Sequence, residues 1–233
     1  MKHTPLLSDL DAHFLAATPF FAGVAEQDIP ATLASLGATI HSYPKGAYIH
    51  LEGDRVRTMS LVLHGRVHIE HDDMWGNCTL LGQAEAGDLF AEAYAAMGDE
   101  PLLIHVVAAE DTDVLNLDLA RLLTVPTAPH PEYARLTANL LRILARKNLA
   151  LSRRMLHTAP KTIRGRVLSY LSFLATQKRA RHFFLPFDRQ QMADYLGVDR
   201  SALSAELSKM QREGLLRYRK NEFFLISGSF PDE

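Results

Sequence analysis

Residues 188–216 read DRQQMADYLGVDRSALSAELSKMQREGLL, and this stretch decides the fold. Ala193 and Leu196 mark the inner face of a first helix. Gly197 then permits the positive φ that a tight inter-helix turn needs. Asp199, a residue type that caps orphan helix N–H groups, opens a second helix. Leu203, Leu207 and Met210 recur on it at 4- and 3-residue steps and face inward. Arg200, Ser201, Ser204, Ala205 and Lys209 are left outward, toward solvent or the major groove of a duplex. An ordinary two-helix hairpin in an α-helical domain would also fit the pattern, so the surroundings must decide.

The chain has 233 residues, 47% of them hydrophobic and 22% charged, the composition of a globular protein with a full core. Its net charge of −2 hides an asymmetry. Residues 1–131 hold 6 Lys and Arg against 18 Asp and Glu, whereas 132–222 hold 19 against 7. A polyanion is attracted only to the second half, which suits phosphate-backbone binding by one domain. Basic solvated helix faces are the plainer alternative. A single cysteine, Cys78, excludes an internal disulfide framework and a four-cysteine cluster. No apolar run reaches membrane-spanning length and no basic-then-apolar leader opens the chain, so a cytoplasmic protein is expected, with no metal site and no membrane partner.

Short β-type runs fill residues 40–119, broken by glycines: 47–51, 60–63, 67–71, 79–81, 104–108 and 114–118. Such spacing indicates an all-β barrel or roll. Short helices are expected over 6–14 and 27–36. Pro126, Pro129 and Pro131 end the β region. Residues 132–158 then form one helical pattern without Gly or Pro, carrying a stripe of Thr137, Leu141, Leu144, Asn148, Leu151 and Met155. Alternating 4- and 3-residue steps make that stripe a coiled-coil seam, in which Asn148 would set register and a two-stranded state. Leu136, Leu140 and Ile143 form a second apolar edge that would pack on the roll. A further helix covers 162–176, and 215–218 with 222–226 flank Arg219-Lys220-Asn221 as a hairpin. The fold expected is therefore α+β: an N-terminal double-sheet β-roll of cupin type, a long dimerisation helix, and a C-terminal winged helix-turn-helix. Its domains are an effector-sensing roll with short N-terminal helices (1–131), a coiled-coil helix (132–158) and the winged domain (159–233).

This order resembles the CRP/FNR superfamily of bacterial transcription regulators over about residues 14–227. The marks are Lys45-Gly46, Glu52-Gly53-Asp54, Val62-Leu63-His64-Gly65-Arg66-Val67, Gly87-Asp88-Leu89-Phe90-Ala91-Glu92, Gly165-Arg166-Val167 and Arg189-Gln190-Gln191-Met192-Ala193. Gly53, Gly65, Gly76 and Gly87 fall at roll turns where a missing Cβ is comfortable. The resemblance implies a homodimer, with an effector in each roll repositioning the DNA-binding domains, a two-fold symmetric site on double-stranded DNA, and RNA polymerase as partner if the protein activates.

Cyclic-nucleotide-binding relatives pair a Glu for the ribose with an Arg-Ser or Arg-Ala for the phosphate. Glu92 holds the first position, but Leu102 and Leu103 stand at the others. A buried phosphate would lack its charge-assisted contact, which argues against cAMP or cGMP. The lone Cys78 argues against an iron–sulfur cluster. The readings left are an apolar or weakly polar effector among Phe90, Glu92, Tyr94, Leu102, Leu103, Asn148, Leu151 and Ser152; haem, with His64, His68 and His105 as candidates; or a filled pocket with no effector.

On the DNA side the resemblance assigns Arg189, Gln190, Arg200, Ser201, Ser204, Lys209, Arg219 and Lys220. Arg200 could donate twice to guanine, and Arg219 and Lys220 suit phosphates. Ala205 and Ser201 depart from the Arg and Glu of many members, so either the half-site is read more loosely or Glu206 and Lys209 share the task. An enzyme has no support: no nucleophile elbow, phosphate loop or HExxH is present, and the carboxylates Glu92, Asp99 and Glu100 read as solvated loop residues. The rival of another class is a ligand-binding module whose second half docks on a partner protein.

Overall fold

In a computed structural model of the chain, which describes residues 11–76, 78–124 and 132–226, two compact units are resolved, Met1–Ala145 and Arg146–Glu233. The residues 6–10, the prolines 126, 129 and 131, and Asn77 lie outside the described residues.

The first unit opens with α1 (Ala12–Ala17), a 3₁₀ turn (Glu26–Asp28) and α2 (Ile29–Ser35). Eight strands follow: β1 (Thr39–Tyr43), β2 (Tyr48–His50), β3 (Thr58–His64), β4 (Arg66–Asp72), β5 (Cys78–Glu85), β6 (Leu89–Phe90), β7 (His105–Ala108) and β8 (Thr112–Asp118). They form two four-stranded antiparallel sheets, in the orders β1-β8-β3-β6 and β2-β7-β4-β5. Val62, Phe90 and Val114 of the first sheet and Val67, Ala84 and Val106 of the second share one buried cluster, the core between the sheets. Their neighbours Leu61 and Leu115 point the other way, into a cluster with Leu15, Phe20 and Phe21. Period-2 alternation thus buries both faces of the first sheet, which explains its near-continuous apolar runs. Two short helices are added: α3 (Glu92–Met97) between β6 and β7, and α4 (Leu119–Leu123) directly after β8.

The long helix α5 spans Tyr133–Thr158. Leu136, Leu140 and Ile143 are buried with the sheet and N-terminal residues. Asn139, also buried, donates to the carbonyls of Phe20 and Ala22, both at 2.9 Å, and so satisfies the loop after α1.

In the second unit α6 (Ile163–Lys178), β9 (His182–Phe184), α7 (Arg189–Leu196), α8 (Arg200–Arg212), β10 (Leu216–Arg219) and β11 (Glu222–Leu225) share one core. The three strands pair antiparallel in the order β10-β11-β9. Asp188 caps α7 through a reciprocal box with Gln191. Gly197 takes φ +62° in the turn, and Asp199 accepts from the Ala202 N–H at 2.8 Å to start α8. Ala193, Leu196, Leu203, Leu207 and Met210 are fully buried, which is the inward pattern the spacing predicts.

Candidate nucleic-acid interface and roll interior

The outer face of α8 carries Arg200, Ser201, Ala205 and Lys209, all exposed, with Ser204 half-buried beside them. Cap geometry sets how they present. Ser201 Oγ donates to the Asp199 carboxylate, which is held below its usual range by this bond and by the Ala202 N–H. The Ser204 hydroxyl bonds back to the Arg200 carbonyl at 2.9 Å. Both serines therefore have local partners to exchange before they could meet a base. Arg200 sits in the first turn, where the positive end of the helix dipole also favours an approaching phosphate.

Glu206 does not share that surface freely. Its Oε1 accepts from Arg164 Nε at 2.6 Å, and Arg164 also bonds Glu213. On α7, Gln190 is exposed and bonds Asp194 at 2.8 Å. Arg189 is folded against the wing instead: its guanidinium lies 5.0 Å from the Tyr218 ring and donates to the Lys220 carbonyl at 3.2 Å. Burial in that packing lowers its pKa. At the wing tip Arg219 and Lys220 are exposed, and Lys220 adopts φ +55° so that the strands reverse in two residues. Asn221 pins the tip by donating to the Leu185 carbonyl at 3.2 Å.

The long helix leaves Leu141, Leu151 and Met155 about two-thirds exposed, with Asn148 exposed on the same stripe and Leu144 half-buried. At 100° per residue these five lie within one 80° arc. Leu149 and Leu156 are also exposed and widen it.

In the roll Glu92 is 4% exposed at the start of α3, after Ala91 takes φ +59°. This corrects the solvated-loop reading of that carboxylate. Asp99 and Glu100 are exposed, as that reading expects. Phe90 and Leu102 are fully buried, and the Leu102 backbone bonds Asp54 O and Gly53 N at 2.9 and 2.8 Å. Tyr94 is half-buried, with its hydroxyl 3.4 Å from the Leu103 N–H. The Leu103 side chain is 61% exposed. Asn148, Leu151 and Ser152 belong to the second unit and are exposed there. A surface cleft of about 400 Å³ is lined by Arg57, Ala95, Asp99, Ala120 and Leu123 among others, and by none of the expected pocket residues.

The three candidate histidines are surface or engaged groups. His64 is exposed, His68 Nδ1 lies 3.3 Å from Glu70, and His105 Nδ1 accepts from the Glu52 N–H at 3.1 Å. The sequence reading missed His50 on β2. Its Nε2 is buried without a hydrogen-bond partner, its ring lies 6.2 Å from that of Phe90, and burial lowers its pKa. Ile49 is the β2 residue packed on the roll core, so strand alternation gave no signal for its neighbour His50.

Residues 40–126 match the cyclic nucleotide-binding domain family and residues 165–227 the Crp-like helix-turn-helix domain family. The chain belongs to the CRP/FNR superfamily. It has the fold of a CRP/FNR transcription regulator, a cyclic nucleotide-binding-like domain followed by a DNA-binding helix-turn-helix domain; the superfamily consists of regulators, not enzymes. Among solved structures it is similar to CprK complexed with OCPA (18% identity, TM-score 0.62, 84% of this chain and 89% of that one). It is also similar to the c-di-GMP responsive global regulator CLP of Xanthomonas campestris (20%, 0.57, 88% and 100%). A CooA mutant from Carboxydothermus hydrogenoformans is a third (20%, 0.56, 84% and 86%). At these identities the likeness is one of CRP/FNR fold. No curated protein sequence matches the chain. Among the described residues no helix is long and apolar enough to cross a membrane.

Proposed function

We propose that the chain is a homodimeric, sequence-specific DNA-binding transcription regulator, controlled by an effector in the roll that is not a cyclic nucleotide. The observation that carries the DNA reading is the outward face of α8, where Arg200 and Lys209 stand exposed, with Arg219 and Lys220 exposed at the wing tip of the same unit. Arg200 is the base reader, Gln190, Ser201 and Ser204 give single bonds, and Lys209, Arg219 and Lys220 meet phosphates. Arg189 contributes by holding the wing. Two copies join along Leu141, Leu144, Asn148, Leu151 and Met155, which gives a two-fold symmetric site with half-site centres about 10 bp apart. RNA polymerase is the further partner if the protein activates, and the compartment is the cytoplasm. In functional terms the domains are 1–131, 132–158 and 159–233.

Buried Leu102 is the observation against a cyclic nucleotide, since an apolar side chain fills the place where a phosphate needs a guanidinium. Within the roll the effector pocket is drawn around Phe90, Glu92, Tyr94, Leu102 and Leu103. His50 favours a second reading, a haem-based regulator of the same fold, because its neutral, unpartnered Nε2 is the donor an iron needs. The packed Phe90 and Leu102 weigh against that reading.

Selection of duplexes from a random-sequence pool tests the main reading. A palindromic product whose binding falls steeply with salt is expected. Failure to retain any duplex at low salt, with binding to a protein partner instead, would favour a docking module. An absorption spectrum after haem addition decides the second reading: a Soret band lost in His50→Ala would support it.

A further inference from the structure

Four successive carbonyls at the end of α7 are taken by arginines from outside the hairpin. Arg154 of α5 donates from Nη2 to Asp194 O at 2.9 Å and from Nε to Tyr195 O at 3.1 Å. Arg166 of α6 donates from Nη1 to Leu196 O and Gly197 O at 3.0 and 2.8 Å, and from Nε to Pro160 O at 2.9 Å. One turn along from Arg154, His157 places Nδ1 2.8 Å from the Tyr195 hydroxyl, its ring packed among Tyr170, Phe173 and Tyr195.

The last carbonyls of a helix lack intrahelical partners, and cations at that end also meet the negative pole of the dipole. A guanidinium serves two adjacent carbonyls at once because its N–H groups form a rigid fork, which an ammonium does not have. Asp199, the cap of α8, follows Gly197 by two residues, so the carbonyls held here lead directly into the start of the reading helix.

We propose that Arg154 is a positioning residue that ties the α7–α8 turn, and through it the entry of α8, to the last turns of α5. This rests on the reading of α8 as the DNA-reading helix. A shift of α5's end then carries the turn with it or breaks its bonds.

The experiment uses the full chain as Arg154→Met, which keeps the stem against Tyr195; Arg154→Lys; and Arg153→Met as a neighbouring charge control. Amide exchange over residues 194–199 of the free protein should quicken about fivefold or more in both Arg154 variants and not in Arg153→Met. Affinity for a duplex selected by the wild type should fall about tenfold, as expected for losing charge-assisted bonds, with poly(dI-dC) binding unchanged. Full rescue by lysine, or unchanged exchange, overturns the proposal. Faster exchange with unchanged affinity overturns the link to reading. If the wild type selects no duplex, the functional reading falls, and exchange still decides whether Arg154 holds the turn.

Discussion

Arg164 on α6 grips Glu206 on α8, Nε to Oε1 at 2.6 Å, and closes a second bond on Glu213 at 2.8 Å. The one acid of α8 is thereby engaged in orienting that helix. A triad of one cation and two anions on the domain surface thus becomes a handle on stability.

The first prediction concerns acid. The Arg164 hydrogen bond holds the Glu213 carboxyl below its usual 4.5. A group whose pKa is lower folded than unfolded stabilises the fold above its unfolded value, and that contribution is lost as pH falls through the folded one. Between about pH 5 and about pH 3 the melting midpoint should therefore drop more steeply in the wild type than in Arg164→Met. Parallel curves would remove the triad as a source of stability.

Arg200→Ala should weaken binding to the selected duplex by about 1–3 kcal/mol, the worth of a bidentate base contact. Oligomeric mass and binding to unrelated DNA should stay close to wild type. A gel shift series on matched and scrambled duplexes checks this, and equal losses on both would reassign Arg200 to the phosphates.

The seam makes the third prediction. Leu141 and Leu151 lie outside the chain's own core, so replacing them should leave the fold intact. Each leucine buried between two copies contributes about 1.5–3 kcal/mol, and two-fold symmetry counts each twice. Leu141→Asp with Leu151→Asp should sediment as a monomer with unchanged helix content. A dimer that survives would move the interface elsewhere.

These arguments use features of unequal legibility. The helix-turn-helix was readable because period, turn glycine and cap all agree within 25 or so residues, a local consistency that propensity captures. The strands were readable from glycine turns and apolar runs. By contrast α3 and α4 span only six and five residues, too short for a 3.6-residue period to show. Glu92 was a pocket residue through the resemblance and a loop acid by its local sequence, because its burial depends on the fold around it. The role of Arg154 was invisible for a similar reason: its carbonyl partners lie 40 and 41 positions away, beyond the reach of any spacing rule.

Two glycines at roll turns offer the last prediction, since they share a backbone conformation and differ in surroundings. Gly65 has φ +83° and Gly76 φ +81°. A Cβ on Gly76 would meet nothing within 4 Å, so Gly76→Ala should cost only the left-handed backbone penalty of about 1 kcal/mol. A Cβ on Gly65 would come within 2.5 Å of the Asp111 carbonyl and 2.6 Å of Thr112 Oγ1. That hydroxyl is buried, has one proton for the carbonyls of Glu110 and Arg66 at 2.8 and 3.1 Å, and accepts from the Arg66 N–H at 3.3 Å, tying the start of β4 to β8. Gly65→Ala must displace this junction and should cost about 1–3 kcal/mol more than Gly76→Ala, read as a difference in urea midpoint at constant slope. Equal midpoints for the two variants would mean that the β4–β8 junction yields at no cost, contrary to the packing seen around Thr112.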